Sequence, residues 1–266
     1  MREPILPFHE VLCITNIRDT EPQETKLAGI VTAIVDPHNE VFPYFWEFTN
    51  DEPAIVIHID KHDDMAAWVP ILHENEMHDQ DLLRAYAQKL SIADFFAPAM
   101  HHGRVSAMYH IDPRNDIVES YGNANIQRSA PLTDELNGEI RWTLFSNYFQ
   151  SPKPRTLSYF DFMKEILRYR GKIILDIDLD AFECLEDDDV NKQKSIDKAD
   201  LLKIVFSPLA NGHLEKTLHF LKPLRKPGLI TIARSSGPRG GIIFTPHYRV
   251  DALEHEVTLA LAQLYR

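Results

Sequence analysis

Five short runs, Ile30–Val35, Ala54–Ile59, Val105–Ile111, 172–177 and Leu229–Ala233, are rich in β-branched residues and show little alternation of apolar and polar positions. Strands that read this way are covered on both faces, the condition of a parallel sheet held between helices. The segments between them carry helical spacing. Residues 79–90 bring Leu82, Leu83, Tyr86 and Leu90 to one side, and residues 158–170 do the same with Phe162, Ile166, Leu167 and Tyr169. The latter opens on Ser158-x-x-Asp161, a capping-box pattern, and stops at Gly171. Residues 201–206, 214–221 and 250–265 add further helical patterns. Strands alternating with helices predict an α/β fold, a three-layer α/β/α sandwich with a mostly parallel sheet. The stretch 113–154, rich in Asn, Gly, Ser and Pro with one strand-like run at 141–149, reads as a rim insertion in a single domain spanning 1–266.

Charge and composition narrow the partners. The net charge of −12 argues against a nucleic-acid partner, which needs a basic face, and favours cationic ones. No apolar run approaches the roughly 20 residues that span a bilayer, and the first residues lack the apolar core of a secretory signal. No membrane partner and a cytoplasmic location are therefore expected. Cys13 and Cys184 make neither a disulfide framework nor a CxxC zinc pair. Nothing in the pattern fixes an oligomeric state.

Three of the strand runs end in residues that ought not to follow a buried strand. Ala54–Ile59 leads into Asp60-Lys61-His62-Asp63-Asp64, the 172–177 run into Asp176-Ile177-Asp178-Leu179-Asp180, and Ile30–Val35 into Asp36-Pro37-His38. Open parallel sheets bind ligands beyond the carboxyl ends of their strands. Residues two apart in extended chain share a side, so Asp60, His62 and Asp64 converge, as do Asp176 and Asp178. Four such carboxylates repel one another, and burying each costs several kcal/mol unless a cation compensates. The set of carboxylates and imidazoles is hard and oxygen-rich, which suits Mn²⁺ better than zinc. Two such ions lower the pKa of a shared water.

These residues resemble the arginase/deacetylase, or ureohydrolase, superfamily, in which D-x-H-x-D and a later D-x-D hold a binuclear manganese cluster. The resemblance implies two Mn²⁺ per chain, with His38 and Asp64 on one ion, His62 and Asp178 on the other, and Asp60 and Asp176 bridging. The histidine lies in Asp36-Pro37-His38-Asn39-Glu40-Val41 instead of a glycine-rich motif, and the second motif continues Leu179-Asp180-Ala181-Phe182 without an Asp-Pro ending. With Ile230-Thr231-Ile232-Ala233-Arg234-Ser235 and Phe244-Thr245-Pro246, these details are similar to a divergent branch. That branch contains the peptide arginases of ribosomal peptide natural-product pathways. It implies an arginine-containing precursor peptide as partner, with arginine side chains hydrolysed to ornithine and urea and Asp64 orienting the nucleophile. The loop Met65-Ala66-Ala67-Trp68-Val69-Pro70-Ile71-Leu72 agrees with a peptide: it has no hydroxyl or amide to meet the charges of free arginine.

Other residues have narrower claims. His101 and His102 are the proton-shuttle candidates, although they precede the Val105 strand and so point to the opposite end of the sheet. His9 is the rival of His38 as ligand, and His73 and His78 read as surface residues. Asp63 and Asp180 flank the ligands and read as supporting or solvated acids. Arg234 ends a buried strand and requires an acidic partner. No glutamate is assigned to grip the guanidinium; Glu74, Glu76, Glu254 and Glu256 are the substitutes weighed, and Glu186-Asp187-Asp188-Asp189 reads as a solvated loop. Two alternatives stay open: a deacetylase-like amidohydrolase with one zinc, and a binding protein that keeps the fold without catalysis.

Overall fold

The computed structural model describes residues 21–65, 68–73, 76–115, 117–122, 129–134, 138–144, 154–184, 213–237 and 244–266. Its centre is an eight-stranded sheet. The strands are β1 (Gln23–Leu27), β2 (Ile30–Val35), β3 (Ala54–Ile59), β5 (Val105–Ile111), β6 (Ile117–Gly122), β9 (Arg155–Ser158), β10 (Lys172–Asp178) and β11 (Leu229–Ala233), in the spatial order β1-β2-β11-β10-β3-β5-β6-β9. The stretch from β2 to β5 is parallel, and β1, β6 and β9 join antiparallel at the two edges. The five β-branched runs lie in this parallel centre, whereas the described part of the strand-like run expected at 141–149 falls in a separate small sheet.

Helices cover both faces. The even-numbered residues of β3, Ala54 and Val56, pack under α1 (Phe42–Phe48), α2 (Gln80–Ala87) and α3 (Phe96–His101), through Phe42, Phe45, Leu83, Tyr86 and Phe96. The odd-numbered ones, Ile55, Ile57 and Ile59, meet α4 (Tyr159–Ile166), α5 (His213–Leu221) and α6 (His247–Leu264) through Phe162, Ile166, Phe220, Leu253 and Val257. Burial on both sides explains why these strands show no alternation. Asp79 caps α2 by accepting from the amides of Asp81 and Leu82, and Ser158 caps α4 by accepting from Asp161 N. Leu82 and Leu167, placed by spacing on the apolar faces, are instead exposed. The 201–206 pattern, His9, Cys13, Glu74 and Glu186–Asp189 lie outside the described residues.

The 113–154 stretch contributes more strand than its composition suggested. β6 extends the central sheet. β7 (Ser129–Asp134) and β8 (Glu139–Leu144) form a small antiparallel sheet with β4 (Trp68–Pro70), in the order β4-β8-β7. The loop that follows the D-x-H-x-D motif is thereby anchored as an edge strand, and Tyr86 Oη donates to Pro70 O at 2.6 Å. Among the described residues, no helix is long and apolar enough to cross a membrane.

Candidate metal centre

On the α1–α3 face the apolar rows of the sheet give way to polar ones toward the carboxyl ends. Ala54 and Val56 are followed by His58 and Asp60, Ile174 by Asp176 and Asp178, and Leu229 by Thr231. Thr231, Asp176, His58 and His110 are successive register partners across four strands. This single row, set by strand register, is the floor of the site. Thr231, Asp176 and His58 are completely buried.

The rest descends from the loops above. After β2 the chain turns into a short 3-10 segment, His38–Val41, which lowers His38 onto the row. After β3, Asp60 Oδ1 accepts from His62 N at 2.7 Å and tightens the loop. Asp64 sits in the left-handed region at φ 49°, a conformation aspartate tolerates better than most residues, and its carboxylate turns back toward His38. After β10, Asp178 Oδ1 accepts from Asp180 N at 3.0 Å and starts the 3-10 turn Leu179–Ala181. Asp178 Oδ2 accepts from Ser235 Oγ, beyond the end of β11.

The orientation of His38 is chemically informative. Its Nε2 lies 3.0 Å from Asp176 Oδ2. Its Nδ1 faces Asp178 Oδ2 at 3.0 Å, Asp64 Oδ2 at 3.1 Å and Asp60 Oδ2 at 3.4 Å; with Nε2–H donated to Asp176, Nδ1 would offer its lone pair to an ion. His38 Nδ1, Asp60 Oδ2 and Asp64 Oδ2 are all buried without a hydrogen-bond partner. They lie within 4.8 Å of one another. Ligand atoms about 2.1 Å from one ion stand about 3.0–3.4 Å apart, so the set fits a common cation. A histidine that donates its other N–H to a carboxylate is the usual arrangement of a metal ligand.

The electrostatics demand positive charge. Burial opposes protonation of His38, but the carboxylates of Asp176 and Asp178 outweigh it and raise its pKa well above the ordinary imidazole value. His58 is raised too, against burial, through Asp176 and Asp60. Burial and then the Asp60 charge push Asp64 up to about 6. Burial, with Asp178 and Asp60 beside it, raises Asp180 well above the carboxylate range. Five carboxylates cannot all ionise here on the strength of three imidazoles, and a divalent ion would meet the deficit.

The structure brings His38, Asp60, Asp64, Asp176 and Asp178 together, and sets His62 at their outer side, where its Nδ1 lies 3.1 Å from Asp180 Oδ2 and 3.6 Å from Asp60 Oδ1. Asp176, expected as a bridge, forms one of the candidate ligand sets with His38 and His58. Its Oδ2 faces both imidazoles, at 3.0 and 2.8 Å, and its Oδ1 accepts from Thr231. Asp180, read as a supporting acid, is buried and joins Asp60 and Asp178 in a further ligand set. His58 was hidden inside an apolar run; its even spacing from Asp60, His62 and Asp64 was the available signal.

His101 and His102 are not brought to this centre. They close α3 just before β5 begins, at the amino-terminal edge of the sheet, and His102 packs against Trp46. β3 alone separates the two edges by about 20 Å at roughly 3.3 Å per residue. Asp63 faces away from the cluster, accepting from Tyr121 Oη at 2.7 Å. With Asp112 and Glu119 it lines a cavity of about 320 Å³ behind the loop. Arg234 finds its acid in α6, donating to Glu254 at 2.6 Å, and Glu76 accepts from Lys89 at 2.8 Å. His73 and His78 are exposed.

No protein-family model matches the chain, and a search of the curated proteins gives no match.

Proposed function

We propose that this protein is a binuclear manganese hydrolase of the ureohydrolase type that converts arginine side chains of a peptide to ornithine and urea. The observation that carries the reading is the buried convergence of His38 Nδ1 on Asp60 Oδ2 at 3.4 Å and Asp64 Oδ2 at 3.1 Å, with Asp178 and Asp180 beside them. His38, Asp60 and Asp64 would hold one ion, and Asp60, Asp178 and Asp180 would offer the second. The number of carboxylates favours two hard ions over the single zinc of a deacetylase.

When bound, such ions bring a water's pKa toward neutrality and stabilise the charge that develops during attack on the guanidinium carbon. The chain's own contribution is to orient and select. Asp64 supplies the acceptor that aligns the attacking water. Asp176, held by His58 and Thr231, keeps the His38 ring turned so that Nδ1 faces inward. Met65, Val69 and Leu72 turn their side chains into the core, so they leave no polar group for the α-amino and α-carboxylate charges of free arginine. That agrees with a substrate whose arginine is flanked by amide bonds.

The test is to load purified protein with Mn²⁺, incubate it with arginine-bearing peptides, free arginine and agmatine, and measure urea and peptide mass. Ornithine formation with urea release is expected from the peptides. Absence of urea from all of them overturns the proposal.

A further inference from the structure

The outer end of the cluster differs in chemistry from the rest. His62 Nδ1, Asp180 Oδ2 and Cys184 Sγ lie within 4.8 Å of one another. The His62–Asp180 distance is 3.1 Å and the Cys184–Asp180 distance 3.9 Å. An ion held tetrahedrally at about 2.0–2.1 Å from nitrogen or oxygen and about 2.3 Å from sulfur sets N···O near 3.4 Å and S···O near 3.6 Å. The observed separations differ from these by about 0.3 Å each. Two of the three groups are also fixed before any ion arrives. Asp180 is buried and its Oδ1 lies 3.4 Å from Lys61 N, and the His62 ring packs 4.7 Å from that of Phe244.

We propose that His62, Asp180 and Cys184 form a mixed nitrogen, oxygen and sulfur site for a borderline-soft divalent cation such as Zn²⁺ or Co²⁺. The two ends of the cluster then differ in metal preference. The inner end offers His38 with Asp60 and Asp64 and suits a hard ion. The outer end adds a thiolate, which favours softer ions, and three protein ligands leave the fourth tetrahedral position open. Binding forms an S–metal bond and releases the thiol proton to solvent. Lys61 Nζ, 3.4 Å from the sulfur, gives way as the ion enters. This assignment shares the metal cluster with the hydrolase reading but does not depend on the reaction.

The chain has two cysteines, so the test uses a Cys13→Ser background in which Cys184 is the only thiol. Titration with Co²⁺ is expected to produce thiolate-to-cobalt charge-transfer absorption in the near ultraviolet, lost in Cys184→Ser while the visible ligand-field bands of the inner ion persist. Zn²⁺ is expected to slow alkylation of Cys184 by iodoacetamide in the folded protein, and to bind the Cys184→Ser outer site on the order of tenfold more weakly. The alkylation arm needs no substitution at Cys184 and so stands even if that variant misfolds. Ligand-field bands without charge transfer, and alkylation indifferent to Zn²⁺, overturn the outer site and leave the inner cluster standing. A protein that shows both signals yet releases no urea from any arginine substrate refutes the hydrolase reading and not this one.

Discussion

His58 Nδ1 lies 2.8 Å from Asp176 Oδ2, the same carboxylate oxygen that His38 Nε2 approaches at 3.0 Å. One buried aspartate thus aims one imidazole into the cluster and is itself held by a second, whose Nε2 lies 3.2 Å from the backbone carbonyl of His62. His58 ties the β10 motif to the loop after β3, and its Nε2 also lies 3.4 Å from Asp60 Oδ2. Replacing it with phenylalanine leaves Asp176 with one imidazole fewer and lets the His38 ring rotate. The expected result is a loss of metal affinity of about 10–100-fold, the usual range for groups that orient ligands, with far-ultraviolet circular dichroism retained. Isothermal titration with Mn²⁺ measures it; unchanged affinity refutes the positioning role.

Ion binding and stability are linked because five buried carboxylates repel until a cation joins them. A ligand that binds only the folded state at 100 times its Kd stabilises by about 2.7 kcal/mol. For a chain of this size that corresponds to a rise in Tm of about 5–10 °C. Mn²⁺ is therefore expected to raise Tm by that amount over protein treated with a chelator. Asp60→Asn and Asp64→Asn are expected to blunt the rise, because each removes a charge from the oxygen set around His38 Nδ1. Scanning calorimetry of the three proteins with and without Mn²⁺ decides it.

The parts of the fold and site that were legible in the sequence share a cause. Runs such as Ala54–Ile59 are buried on both faces, so they lack alternation, and the residues at their ends are conspicuous because charge follows hydrocarbon directly. The same logic concealed His58. Inside a completely buried strand, one imidazole looks like an interruption until register shows it beside Asp176. The pairing of β4 with β8 was not readable, because edge strands of a small sheet are fixed by a partner distant in sequence. Helical spacing put Leu82 and Leu167 on the buried side, but Leu82 falls in the first turn of α2 and Leu167 is the C-cap of α4, and both are exposed. His101 and His102 were drawn in by chemistry alone, and only the direction of β5 separates them from the cluster.

Asp94 carries a cost at neutral pH. It is buried, its Oδ1 has no partner, and burial pushes its pKa up to about 6 against the opposing hydrogen bonds from Ser91. The folded pKa lies above the unfolded value of 3.8, so the folded state holds its proton more tightly. The favourable contribution is complete below the unfolded pKa and is lost as pH rises through about 6. Asp94→Asn is therefore expected to stabilise by about 2–3 kcal/mol at pH 7.5 and by little near pH 4, read from urea midpoints at the two pH values. Equal effects at both rule out a charge penalty.

His102 works in the opposite direction. Burial, with the charges of His101 and Arg104 beside it, lowers its pKa to about 4, and its Nε2 is enclosed without a partner. The folded pKa is now below the unfolded value of 6.5, so the unfolded chain takes up the proton first. The stability associated with the neutral ring is intact above 6.5 and falls away as pH drops toward about 4. Its edge-on contact with Trp46, ring centroids 5.6 Å apart, accommodates another flat apolar ring. His102→Phe is expected to flatten the acid limb of the stability profile between those two pH values while leaving the alkaline side little changed. Thermal midpoints measured from pH 4 to 8 for both proteins test it, and parallel profiles refute it.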